Sequence, residues 1–159
     1  GSTFPVGKVG QVVQVTKTDS FTTTSSSYVD ITGFSVSITP SSTNSKILVS
    51  VTVGALANSG GSGTVVNLKR GTTTIISNSD GGSADTEDAW FLSGGQTYTN
   101  ADRFNRAGVI NYLDSPASVS SQTYKCQMKA TGGTGYFNRW GTNTDQAGVS
   151  TITLMEVLA

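Results

Sequence analysis

The 159-residue chain has no histidine, one cysteine and three prolines, and only 13% of its residues are charged. Without histidine, Ser-His-Asp and Cys-His nucleophile systems are excluded, along with the commonest zinc ligand. The lone thiol, Cys126, forbids an internal disulfide, so core packing or oligomerisation must hold the fold. Ten basic and ten acidic residues cancel to a formal net charge of zero. That balance argues against a nucleic-acid partner or an anionic membrane surface. No apolar run is long enough for a membrane-spanning helix, no signal peptide is visible, and no window carries a helical repeat.

What is plentiful is hydroxyl. About three residues in ten are Ser or Thr, well above ordinary globular usage. Disordered chains show a similar bias, but they lack β-branched and aromatic residues placed at strand spacing. Here Val, Ile, Phe and Tyr recur at that spacing throughout, which predicts a folded, all-β chain. The length suits a single domain over residues 1–159, with 1–8 expected to be a tag remnant (Gly1-Ser2) and a lead-in.

The clearest pattern runs from Phe34 to Val53. Phe34, Val36 and Ile38 alternate with serines, and Ile47, Val49, Val51 and Val53 alternate with polar residues and Leu48. Pro40 and the turn formers after it separate the two runs, which either pair as a hairpin or lie in facing sheets. Val9–Val15 reads as a first strand, Thr16–Ser27 as a loop or irregular edge, and Tyr28–Ile31 as a short strand closed by Gly33. Gly71-Thr72 predicts a tight hairpin, and Gly108–Leu113 an interior strand, apolar on both faces. Thr123–Ala130 should point Tyr124, Cys126 and Met128 inward. In the last strand, Ile152 and Leu154 share one face while Met155 and Val157 share the other. Apolar groups on both faces predict a core on one side and, for Met155 and Val157, a partner subunit or a second covering layer on the other. About ten short strands joined by Gly, Ser, Pro and Asn turns predict an antiparallel β-sandwich or jelly roll.

Several segments, in this order, resemble a module common in tailed phages, especially marine ones. They are Gly7-Lys8-Val9 with Gln11–Gln14, Tyr28–Gly33, Val36–Ser42, Ser45–Val49, Leu68–Gly71, Tyr112–Ala117, Thr123–Lys125 and Ser150–Glu156. The resemblance implies a tail-fibre or other virion structural protein, hence a virion location and other virion proteins as partners. It also implies a jelly-roll knob like tumour-necrosis-factor and complement C1q heads, which are often homotrimers. Asn58–Gly63, Asn78–Asp88 and Gly94–Arg106 fall in the variable parts of the pattern, so it assigns them no binding residue.

Chemistry has few candidates. Asp80, Asp85, Glu87 and Asp88 cluster in one Gly-rich stretch. Its plain reading is a solvated loop. Calcium binding is the alternative, and paired-carboxylate glycoside hydrolysis comes third because a mobile loop offers no burial to raise an acid's pKa. Cys126, at an inward strand position, is expected to be an inert thiol, and no other cofactor is implied. Aromatic residues beside polar ones are the best binding signal. Trp90, Tyr98, Tyr136, Asn138, Arg139 and Trp140 combine flat stacking surfaces with hydrogen-bonding groups, as a glycan site requires. The bland reading is that alternate members fill the core. Together these features predict a non-enzymatic, trimeric receptor-binding domain for host-surface glycan. The alternatives are a capsid or tail decoration protein, recognisable by an exposed apolar patch with no aromatic-lined pocket, and a glycan depolymerase.

Overall fold

The computed structural model describes residues 8–59, 63–76, 91–93, 106–140 and 143–159. Among them thirteen strands follow one another: β1 (Val9–Lys17), β2 (Phe21–Thr23), β3 (Val29–Ile38), β4 (Lys46–Ser59), β5 (Thr64–Arg70), β6 (Thr73–Ile76), β7 (Phe91–Ser93), β8 (Arg106–Asp114), β9 (Gln122–Ala130), β10 (Thr134–Phe137), β11 (Arg139–Trp140), β12 (Asn143–Ala147) and β13 (Ser150–Val157). Six form one antiparallel sheet, five form a second, and β11–β12 make a two-stranded ribbon.

In the six-stranded sheet β1 pairs with β13, β13 with β4, and β4 with β8. In the other sheet β3 pairs with β9, β9 with β5, and β5 with β6. Successive framework strands therefore cross between the sheets, which is the double Greek key of a jelly roll. Strands β3 and β4 lie in different sheets, so the two runs of the Phe34–Val53 stretch face each other across the core.

The core follows from period-two alternation. Ile47, Val49, Val51 and Val53 are fully buried from one sheet, and Phe34, Leu68, Tyr124, Cys126 and Met128 from the other. Phe34 meets Phe137 with ring centroids 5.1 Å apart and planes tilted by 53°. Burial pushes the Cys126 thiol well up, leaving it protonated. A polar clamp ties the sheets at one end. Arg70 on β5 and the Tyr124 hydroxyl on β9 both donate to Asp114 Oδ2 on β8, at 2.5 and 2.7 Å.

Three sequence expectations change. Gly33 does not close a strand: it sits inside β3 at φ +75°, where the pairing with β9 shifts register between Asp30 and Ser35. The segment after Thr16 belongs partly to β1, and Phe21–Thr23 forms a short strand on β10. β8 is not interior: among the described residues it pairs with β4 alone, and its apolar Val109 and Leu113 face outward and exposed. The Gly71-Thr72 hairpin is as expected, with Gly71 at φ +57°.

Glu156, which the alternation places inward, is only 2% exposed. Its Oε1 accepts the Ser41 backbone N–H and hydroxyl, and its Oε2 accepts Gln11 Nε2, all at 2.7 Å. One carboxylate thus joins β13 to β1 and to the β3–β4 connection. Burial pushes its pKa up, but the donors from Gln11 and Ser41 outweigh that and hold it at about 2, below the ordinary 4.5. A folded-state value below the unfolded one means that the stabilisation is complete above pH 4.5 and fades as pH falls toward 2. Water at the open end of the sheet screens the network, so about 2 kcal/mol is the expected size. Glu156→Gln should lose that amount at pH 7, and its stability should then fall less than the wild type's between pH 5 and pH 2. Urea midpoints at several pH values measure both. Parallel acid limbs for the two proteins would rule the network out.

Candidate functional site

The segment Tyr136–Trp140, nominated by its aromatic and polar composition, lies where the chain leaves the sheet. β10 runs antiparallel along the last residues of β4, pairing Phe137 with Leu56, and β13 takes up the same edge of β4 further along, pairing Thr151 with Thr52. Between them the chain makes an excursion as the β11–β12 ribbon, then returns through Gly148 and Val149.

Asn138 is the exit point. Its φ of +56° lies in the left-handed region, which asparagine tolerates better than most residues. Its backbone N–H donates to Ala55 O at 2.8 Å, and its carbonyl accepts Gly148 N–H at 3.0 Å. Its Nδ2 donates to Lys17 O at 2.8 Å and Asp19 O at 3.3 Å, while its Oδ1 accepts the Ser150 hydroxyl at 2.5 Å. The residue is fully buried. Every one of these groups is spent on closing the excursion, so Asn138 is a fold residue and not a glycan ligand.

Tyr136 is likewise buried, with the Arg139 guanidinium 5.1 Å above its ring. Its face is covered by the arginine and offers no stacking platform. Arg139 and Trp140 remain, both half-buried on β11, with Trp140 in register with Asn143. Trp140 Nε1 has no hydrogen-bond partner among the described residues. That atom is itself buried, so what this corner can present is the exposed part of a half-buried indole beside a guanidinium held by an aromatic ring, a much smaller surface than the five-residue motif suggests.

Trp90, Tyr98, Asp80, Asp85, Glu87 and Asp88 lie outside the described residues. Among the described residues no group of three or more His, Cys, Asp or Glu is placed to hold a metal. Lys17 and Asp30 show what the described charges do. Lys17 donates to Asp19 and to Thr32 O at 2.9 and 2.8 Å, while Asp30 accepts Lys125 and Gln127 at 2.8 and 2.7 Å. Apart from the local Lys17–Asp19 pair, these are strand-to-strand ties. The hydrogen bonds from Lys125 and then Gln127 hold the Asp30 carboxyl below its ordinary value.

Met155 and Val157 point outward from β13, as the alternation requires, and both are half-buried. Met155 is in register with Val12 on one side and Leu48 on the other, and Leu48 is in register with Leu113. An apolar row thus crosses four strands on the outer face of the six-stranded sheet. Leu48 already stood out in the sequence as the only large apolar residue on its face, but its alignment with Met155 depends on long-range register.

No protein-family model matches the sequence, and no curated protein matches it. Among solved structures, the chain is similar over 94% of its length to a chain in the structure of infectious bursal disease virus Gt strain, at 14% identity and TM-score 0.44. It is similar over the same share to a chain in the infectious bursal disease virus VP2 subviral particle, at 13% identity and TM-score 0.38. It spans 38% and 37% of those chains, and no residue is carried across from them.

Proposed function

We propose that this chain is a virion structural module of the tail-fibre or receptor-binding kind, non-enzymatic, acting as a homotrimer that attaches to host-surface glycan. The observation that carries this reading is where the phage-like segments fall. Val9 and Gln11–Gln14 lie on β1, Tyr28–Gly33 beside and on β3 with Val36–Ile38 at its end, Ser45–Val49 at the start of β4, Leu68–Arg70 on β5, Tyr112–Asp114 at the end of β8, Thr123–Lys125 on β9, and Ser150–Glu156 on β13. These segments thus fall largely on the jelly-roll framework. Among the described residues, the carboxylates Asp114 and Glu156 are taken up by donors from the fold.

Attachment is tested by binding of the purified chain to glycan arrays and to intact host cells. Trp140→Ala is expected to weaken binding about tenfold, the scale of one lost contact worth about 1.4 kcal/mol. If neither surface binds the wild type, the attachment reading fails. Release of reducing ends from host polysaccharide would instead favour the depolymerase.

A second reading, a decoration protein that binds other virion components, is favoured by one observation. Burial of Tyr136 and Asn138 shrinks the aromatic site, whereas Val12 and Leu113 leave an apolar surface exposed. Failure on glycans and cells together with specific binding to a purified virion protein would establish it.

A further inference from the structure

Free sheet edges are normally blunted, because an unpaired row of N–H and C=O groups recruits other extended chains. Most edges of this sandwich follow that rule. β1 shifts register between Val9 and Val12, and β3 does so between Asp30 and Ser35, around Gly33. β2, β6 and β7 are only three or four residues long, and the β11–β12 ribbon shifts register between Arg139 and Trp140. Among the described residues β8 is the exception. It is nine residues long, pairs with β4 alone, and keeps its register unbroken from Gly108 to Asp114. From Ala107 to Leu113 it carries no charge and no proline. Val109 and Leu113 are 64% and 47% exposed on its outer face. On its core side Tyr112 is 36% exposed, although Val49 beside it on β4 is fully buried. Its far end is pinned, since Asp114 takes donors from Arg70 and Tyr124 on the opposite sheet.

We infer that β8 is a docking edge, completed by an extended segment of another protein that adds a strand beside it. The backbone specifies the occupant. Unpaired N–H and C=O groups recur at every second residue, about 7 Å apart, a repeat that another extended backbone matches and a sugar or a helix does not. The side chains ask for an incoming strand that is apolar on both faces, to cover Val109 and Leu113 on one side and Ile110 and Tyr112 on the other. Gly108–Leu113 reads in the sequence as an interior strand, and the added strand makes it one. A second copy of β8 fits less well. Strand pairing covers an edge and not a face, so two copies joined there would leave their apolar outer strips side by side in water. An edge already held by β4 and by the Asp114 clamp loses little freedom on binding. The inference concerns a surface apart from the Trp140 corner, and depends on neither glycan attachment nor trimerisation.

The probe is a synthetic peptide of Lys46–Val53, the segment that β8 already pairs with on its other side. One form is methylated at the backbone nitrogens of Ile47, Val49 and Val51, which leaves one edge free and stops the peptide stacking on itself. A second form is methylated at every nitrogen from Ile47 to Thr52, which keeps the side chains and removes both edges. The first should bind the purified chain and slow amide hydrogen exchange at alternate residues of Gly108–Leu113 by roughly tenfold or more. The second should do neither. Val109→Lys, an edge-blunting change at an exposed position, should abolish the protection while the far-ultraviolet circular dichroism stays that of the wild type. Val12→Lys, on β1 at the far side of the sheet, should leave it intact. Equal binding of both peptides would mean apolar adhesion and overturns the inference. So does an absence of protection in β8, or slow exchange throughout Gly108–Leu113 before peptide is added. A wild type that light scattering shows to be a dimer, and that Val109→Lys returns to a monomer, would give the edge to a second copy and overturn the choice of partner.

Discussion

Asn138→Ala is expected to cost about 4 kcal/mol, most of the stability of a marginally stable domain. The substitution removes three side-chain hydrogen bonds, two donated to Lys17 O and Asp19 O and one accepted from the Ser150 hydroxyl. Lys17 and Ser150 are buried, so water cannot replace the lost partner without opening the structure. Each stranded buried group costs about 1–3 kcal/mol. The Ser150 hydroxyl also accepts Gly54 N–H at 3.0 Å, so its reorientation disturbs β4. Alanine at φ +56° adds about 1 kcal/mol of backbone strain. Asn138→Gly isolates that part: it should recover about 1 kcal/mol relative to alanine and no more. Urea denaturation followed by circular dichroism measures all three proteins. An alanine variant within 1 kcal/mol of wild type would mean that the excursion is held elsewhere.

The contrast between Asn138 and its neighbours shows what a sequence of this kind discloses. Inward rows such as Ile47-Val49-Val51-Val53 and Tyr124-Cys126-Met128 are legible because strand periodicity is local, and the burial follows it residue by residue. So is the turn at Gly71, where two residues between two alternating runs leave few geometries. Asn138 is different. Its partners are Lys17 and Asp19, far earlier in the chain, and Ser150, beyond the ribbon. Nothing local distinguishes an asparagine that closes an excursion from one that faces a sugar, since both need an amide beside aromatic residues. Gly33 misleads for a related reason. A glycine between two alternating runs reads as a terminator, but here it absorbs a register shift within one continuous strand. The face around Met155 was half legible: alternation shows that Met155 points away from the core, while only the pairing of β1, β13, β4 and β8 reveals its companions. The burial of Glu156 is not legible, because an isolated glutamate in a strand of hydroxyls and aliphatics reads as solvated.

Gly54→Ala should be as damaging as any substitution in the chain, and propensity alone predicts the opposite. Gly54 lies within β4, where replacing glycine with alanine would ordinarily reduce the entropy lost on folding. A Cβ there would stand 2.3 Å from Val149 O and 2.6 Å from Val149 N. Both are backbone atoms of the segment returning from the ribbon, and neither can rotate aside. That segment is also fixed from both ends, by Gly148 N–H on Asn138 O and by Ser150 on Asn138 Oδ1. The added methyl must therefore push β13 from β4 or displace Asn138, and a cost of about 3 kcal/mol or more follows. Gly71→Ala supplies the comparison. Gly71 has the positive φ that alanine dislikes, but nothing lies within 4 Å of its would-be Cβ, so only strain of about 1 kcal/mol is expected. Unfolding free energies of the two variants from urea denaturation should therefore differ by at least 2 kcal/mol, with Gly54→Ala the weaker. Equal losses would mean that backbone conformation governs both sites. A Gly54→Ala protein as stable as the wild type would show that the returning chain passes β4 at a greater distance.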